Sequence, residues 1–169
     1  ARGATIIISL DAMPHWLAAN QSDVMLSDGP TWAKSAPADY AVWENVVQTI
    51  VTFFSGILRL DPIYEVWNEP DWSFLGTFDD YMQLYGSTVA GAMRADPQVR
   101  IGGPAVSDWS SPAKTGASAP FDPNTLFVRE FLQRAAVTPV ASAGLARLPV
   151  NALTLHGYYR EPATYYRTI

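Results

Sequence analysis

Ile63-Tyr64-Glu65-Val66-Trp67-Asn68-Glu69-Pro70 runs from a brief apolar segment into an amide, a carboxylic acid and a proline. The part from Ile63 to Trp67 has the length and residue types of a buried strand, and the polar cluster with Pro70 marks its end. Thr5 to Leu10, Val99 to Gly103 and Val150 to His156 read the same way, each brief, apolar and closed by Pro, Gly, Asn or His.

Helical periodicity fills the intervals between these strands. From about Asp39 to Leu58, Val42, Trp43, Val46, Val47, Ile50, Val51, Phe54, Ile57 and Leu58 form a wide apolar stripe, with Pro37 just upstream of the start. A second helix is predicted to open at Thr77, whose hydroxyl caps it while Asp80 complements the exposed amides; it continues to about Ala95, where Asp96-Pro97 stops it. A third begins near Asp122-Pro123, carries Leu126, Phe127, Phe131 and Leu132, and fades near Ala136.

Strand and helix in regular alternation imply repeated βαβ units, hence an α/β protein with a parallel sheet and right-handed crossovers. An open doubly wound sheet or part of a (β/α)8 TIM barrel would both satisfy the pattern. No Gly-rich phosphate fingerprint follows a strand, which weakens the dinucleotide-binding form. In a barrel, chemistry collects at the C-terminal ends of strands. The polar and aromatic residues obey that rule: Asp11 to Trp16, Asn68 to Trp72, Ser107 to Trp109 and His156 to Tyr159 follow the strands in turn. Gln21 to Ala36 and Ser107 to Asn124 are long and rich in Ser, Pro, Asp and Gly, and read as active-site loops.

Composition narrows the function. The chain has 169 residues, 49% hydrophobic and 16% charged, the balance of a globular protein with a sizeable core, and a single domain is expected. Its net charge is −5 and its 11 basic residues are scattered, so nucleic acid is not an expected partner. There is no cysteine, and His15 and His156 are far apart, so neither a disulfide framework nor a metal site is expected, and no cofactor is called for. No apolar run approaches the length of a membrane span. The six tryptophans lie mostly beside Pro, Asn, Asp or His, which fits either a sugar-stacking surface or ordinary core filling.

Glu69 ends a hydrophobic strand, follows an amide, is fixed by Pro70 and has Trp67 and Trp72 nearby. An apolar wall from those indoles would raise its pKa, and a carboxylic acid protonated near neutral pH is what protonation of a glycosidic oxygen requires. A structural hydrogen-bond acceptor at a strand end fits the same residues. Glu65 precedes Glu69 by four residues, so alternation directs it into the barrel, where it is expected to be structural and paired with an arginine.

Trp67-Asn68-Glu69-Pro70 resembles the acid/base motif of the clan A retaining glycosidases, which are (β/α)8 barrels. Tyr81-Met82-Gln83-Leu84-Tyr85 through Asp96-Pro97-Gln98-Val99-Arg100-Ile101-Gly102-Gly103-Pro104-Ala105 is similar to glycoside hydrolase family 39, the β-xylosidases and α-L-iduronidases. Met13-Pro14-His15-Trp16-Leu17 resembles that family's loop after the third strand, and His156-Gly157-Tyr158 its sixth-strand ending.

The resemblance implies that the chain is a fragment, residues 1–169, of one catalytic barrel domain, covering about strands three to six with their helices. It implies Glu69 as general acid/base and Asn68 as the group bonding the sugar hydroxyl beside the anomeric carbon. His156 and Tyr158 would face the same cleft, His156 as either a substrate-binding sugar contact or a satisfied barrel residue, and Tyr158 as the better candidate to hold the nucleophilic carboxylate, with Tyr159 as its rival. His15, Trp16, Trp72 and Trp109 are further candidates to bind substrate, an oligosaccharide or polysaccharide; Trp16 packed under its loop and an exposed, idle His15 fit the sequence equally. The nucleophile would come from the seventh strand, outside this chain. Glu44 and Glu130 lie on expected helices, and Glu161, after the sixth strand, is a weak substitute. Another chain or segment would supply the remaining strands, and a secreted or periplasmic enzyme is the expectation from substrate class alone. Competing readings are another clan A activity, such as a β-glucosidase, mannanase or exopolysaccharide hydrolase, and a non-catalytic carbohydrate-binding barrel piece.

Overall fold

A computed structural model describes residues 3–22, 24–25, 32–111, 113 and 126–158. Its centre is a sheet of four parallel strands, β1 (Ile7–Leu10), β2 (Ile63–Val66), β3 (Arg100–Val106) and β4 (Ala152–Leu155), in that spatial order. The helix α1 (Tyr40–Val51) lies between β1 and β2 in sequence. The short helix α2 (Pro70–Ser73) and the long helix α3 (Phe78–Ala95) lie between β2 and β3, and α4 (Phe127–Ala135) between β3 and β4. Because sequential strands are spatial neighbours without a reversal, right-handed crossovers put every long helix on the same face. That is the winding of a barrel, not of a doubly wound sheet, and the chain forms part of an α/β barrel.

Each helix has a cause in the sequence. Asp39 caps α1 by accepting from the amides of Ala41 (2.8 Å) and Val42 (3.2 Å). The stripe expected to run to Leu58 changes character at Thr52, where Thr52–Ile57 continues as a wider π-helical turn. Thr77 caps α3 as predicted: its Oγ1 accepts from the Asp80 amide at 3.0 Å, and Asp80 Oδ2 accepts from the Thr77 amide at 2.7 Å. For α4 the described helix begins at Phe127. The expected start at Asp122-Pro123 lies outside the described residues.

The helices α1 and α3 touch closely at Gly91, where a Cβ would stand 2.3 Å from the Glu44 carbonyl oxygen. Across the same contact the Trp43 indole N–H donates to Thr88 Oγ1 (2.9 Å), and that hydroxyl donates to the Leu84 carbonyl (2.8 Å). Trp67, Phe74, Phe78, Tyr81, Tyr85, Phe127 and Phe131 are all buried, and successive rings meet mostly edge to face. Burial raises the pKa of the Tyr81 phenol well above its usual value, so it stays protonated and donates to the Val66 carbonyl at 3.0 Å.

Two boundaries depart from the sequence reading. The strand expected to end at Gly103 runs on through Pro104 to Val106, with a register irregularity between Pro104 and Val106 that absorbs the missing proline donor. Part of the segment expected as one long loop folds into a small antiparallel sheet, in which Trp32–Ala33 lies between Met13–Pro14 and Val24–Met25.

Register aligns Ser9, Glu65 and Gly102 in one row across β1, β2 and β3. Glu65 is 8% exposed there, but the arginine partner expected for it is not found among the described residues. At the outer strands Ile7 and Leu153 are 51% and 41% exposed. Among the described residues no helix is long and apolar enough to cross a membrane.

Candidate active site

The C-terminal end of β2 makes an abrupt turn. Trp67 has φ 69° and Glu69 has φ 53° and ψ 56°, so two of three successive side chains sit on left-handed backbone. For non-glycine residues this costs about 1–2 kcal/mol each and persists only where neighbours hold it. Several groups do. The Glu69 amide donates to the Ala105 carbonyl of β3 (2.9 Å), and the amides of Trp72 and Ser73 donate to the Glu69 carbonyl at 3.0 and 2.7 Å. The Trp67 indole N–H donates to Ser73 Oγ (2.8 Å), which in turn donates to the Asn68 carbonyl (2.7 Å). Pro70, at the first position of α2, needs no amide partner there.

The turn delivers the Glu69 carboxyl to the end of β4. Its Oε1 lies 2.6 Å from His156 Nδ1 and accepts the Tyr158 hydroxyl proton; His156 Nδ1 is 3.3 Å from Tyr158 Oη. The His156 amide donates to the Val106 carbonyl (2.8 Å), fixing the ring's base to β3. The Glu69 side chain is only 13% exposed and His156 34%. The hydrogen bond from Tyr158 is the main influence on the Glu69 pKa and lowers it; partial burial opposes, and the bond and charge of His156 lower it further. The same bond raises the Tyr158 phenol.

This shift is opposite in direction to the one expected from the sequence. Trp67 is fully buried in the core, and Trp72 is 70% exposed, so the two indoles do not enclose the carboxyl in an apolar wall. Two hydrogen-bonding groups approach it instead and favour its ionised form. Tyr158, foreseen as the holder of a nucleophilic carboxylate, has Glu69 as its partner in this chain.

The other candidates are more dispersed. Asn68 is at the turn with its carbonyl engaged. His15 Nε2 lies 2.7 Å from the Gln21 carbonyl oxygen, Trp16 is 63% exposed, and Lys34 stands 5.5 Å over the Trp72 ring. Trp109 packs against the hydrophobic core, which favours its core-filling role. Glu44 is on α1, 3.4 Å from Arg94. Tyr159 and Glu161 lie outside the described residues, as does most of the Ser107 to Asn124 loop. Among the described residues no group of three or more His, Asp or Glu side chains could hold a metal ion.

Two carboxyls of this end were not singled out from sequence. Asp11 directly follows β1; desolvation of its carboxyl raises its pKa, the Asn68 amide opposes and the Glu65 charge adds. Asp71, in α2, accepts from both the amide and the hydroxyl of Ser107. No spacing rule connects residues so far apart in the chain.

The sequence has relatives among known proteins. It matches the profile of Glycosyl hydrolases family 39 over residues 5–158. The chain belongs to that family. A β-xylosidase of Geobacillus stearothermophilus is 28% identical over 111 residues, which is 61% of this chain and 21% of that protein. Among solved structures, a family 39 β-xylosidase from Caulobacter crescentus superposes with a TM-score of 0.64 at 23% identity, over 95% of this chain and 32% of the other. A glucosidase from Croceicoccus marinus superposes at 0.55 and 21% identity, over 90% of this chain and 26% of that one. This family 39 chain thus spans about a fifth to a third of the length of these relatives. Glu69, His156 and Tyr158 all fall within the family match.

Proposed function

We propose that this chain supplies the acid/base half of a retaining glycoside hydrolase site acting on β-xylosidic or closely related linkages. The observation that carries the reading is the placement of the little-exposed Glu69 carboxyl at the C-terminal end of a parallel strand, with His156 and Tyr158 converging on its Oε1. In this reading residues 1–169 are part of one barrel domain, and the nucleophile and remaining strands come from polypeptide outside them.

Hydrolysis then proceeds in two displacements. A carboxylate from outside this chain attacks the anomeric carbon while Glu69 gives its proton to the glycosidic oxygen, so the leaving group departs as a neutral alcohol and a glycosyl ester remains. In the second step Glu69, now a carboxylate, takes a proton from water as the water oxygen attacks the same carbon and frees the nucleophile. Asn68 bonds the neighbouring sugar hydroxyl, and the exposed indoles of Trp16 and Trp72 offer stacking faces to the sugar chain.

The first step needs a protonated Glu69, whereas the present contacts favour its ionised form. A nucleophilic carboxylate about 5–5.5 Å away resolves this: its negative charge raises Glu69, and it competes for the Tyr158 hydroxyl whose bond to Glu69 is the largest lowering influence. The same two contacts on Oε1 favour the alternative, a carbohydrate-binding piece in which Glu69 remains a permanent carboxylate. The choice of sugar rests with the loops, so a glucosidase or another clan A specificity shares this chemistry.

Glu69→Gln in the assembled barrel, this chain together with the segment supplying the other strands, tests the reading. Turnover of aryl xylosides with poor leaving groups should collapse while those with activated leaving groups still form the glycosyl ester. Unchanged hydrolysis of both would remove Glu69 from the acid/base role, and a parent with no hydrolysis at all would favour the binding alternative.

A further inference from the structure

Asp71 lies two residues beyond Glu69 and is 9% exposed, with both carboxylate oxygens engaged by one residue of another strand end. Oδ1 accepts from the Ser107 amide at 2.9 Å, and Oδ2 accepts from the Ser107 hydroxyl at 2.6 Å. A carboxylate held in this two-point manner is both strongly bonded and fixed in orientation. Ser107 directly follows β3, so the pair ties the end of β3 to the turn that carries Glu69. Beside it the Glu69 amide donates to the Ala105 carbonyl of β3, and Ala105 is itself left-handed at φ 51°. Two strained turns therefore face each other, and left-handed backbone at non-glycine residues persists only where surrounding bonds over-determine it. The Glu69 side chain makes no capping bond to α2, so it does not itself help to hold the turn.

We propose that Asp71 and Ser107 form a clamp that positions the acid/base, with Asp71 acting through the turn to hold the Glu69 carboxyl within reach of the glycosidic oxygen. Asp71 is thus a positioning residue and does not itself touch substrate. The proposal rests on the reading of Glu69 as acid/base. Asp71→Asn keeps the clamp, because its amide oxygen accepts from the Ser107 amide and its NH2 donates to the Ser107 hydroxyl; Asp71→Ala abolishes it.

The test measures both variants and Glu69→Gln in the assembled barrel, with aryl β-xylosides of poor and of activated leaving groups, after thermal unfolding has established that each is folded. Asp71→Ala should lower kcat for the poor leaving groups on the order of 100-fold, the cost of a displacement of about 1 Å in a catalytic group. KM and the activated substrates should change little, and Asp71→Asn should retain most of the parent's turnover. If Asp71→Ala is folded and loses both substrate classes equally, or neither, the clamp proposal is overturned, as it is if Asp71→Asn loses as much as Asp71→Ala. Should Asp71→Ala fail to fold, Ser107→Ala, which keeps the backbone bond and loses only the hydroxyl, carries the same comparison with a smaller leaving-group-dependent loss expected and none overturning the proposal. A Glu69→Gln enzyme that behaves like the parent would instead sink the acid/base reading and the clamp with it, whereas a leaving-group-dependent loss in Glu69→Gln alone sinks only the clamp.

Discussion

Tyr158 donates its phenolic hydrogen bond to Glu69 Oε1, joining the end of the fourth parallel strand to the end of the second. His156 Nδ1 reaches the same oxygen at 2.6 Å. Both contacts lower the Glu69 pKa and favour its ionised form.

Tyr158→Phe removes the largest influence that lowers Glu69, so the carboxyl pKa should rise from its depressed position. A carboxyl-resolved NMR titration of parent and variant measures this directly. An unchanged Glu69 titration would mean that the phenol contributes nothing to its ionisation.

The same bond has a consequence for stability. The folded pKa of Glu69 lies below the ordinary 4.5, so its stabilising contribution is fully present above that pH and is lost as pH falls through the folded pKa. Unfolding by urea across pH 7 to 3 should therefore show a parent that loses stability faster on acidification than Glu69→Gln does. Parallel pH dependences would contradict the assignment.

Gly91→Ala places a methyl group 2.3 Å from the Glu44 carbonyl oxygen, and backbone cannot swing aside as a side chain can. Overpacking at such a contact costs about 1–3 kcal/mol. Thr77→Ala, which deletes the cap of α3, should cost about 1 kcal/mol. Urea midpoints of the two variants check both values.

The exposed and the packed indoles should behave differently. Trp16→Ala should leave stability within about 0.5 kcal/mol of the parent, because surface substitutions away from special contacts have small effects, and Trp72→Ala should cost about 0.5–1 kcal/mol through loss of the Lys34 contact. In the assembled barrel each should weaken oligosaccharide binding, seen as a higher KM or a poorer titration with xylo-oligosaccharides. Trp109→Ala should show the opposite pattern, lower stability with little change in binding, since its ring packs on the core.

Much of the fold was legible because it rests on local rules. The four strands and the parallel winding follow from short apolar runs separated by helical stripes, and Asp39 and Thr77 take up capping positions that their side-chain chemistry favours. The helix α2 escaped notice because four residues are too few to display a period. Gly103-Pro104 read as a strand end, but β3 carries the proline by shifting its register.

At the site, Glu69, His156 and Tyr158 could be named from strand-end positions and motif resemblance, and they do meet. The direction of the Glu69 pKa shift was not legible. It depends on where the Trp67 side chain goes, and the left-handed backbone at φ 69° sends that indole to Ser73 in the core. The Asp71 and Ser107 pair was hidden for a related reason: a contact between two strand ends leaves no periodic trace in either segment.

The most direct measurement of the acid/base assignment is azide rescue of Glu69→Ala in the assembled barrel, using an activated aryl β-xyloside. With the base gone, water attacks the glycosyl ester slowly, whereas azide needs no proton removed and should restore turnover with β-xylosyl azide as product, in the configuration of the substrate. Turnover that azide leaves untouched, or a Glu69→Ala enzyme as active as the parent, would contradict Glu69 as the acid/base.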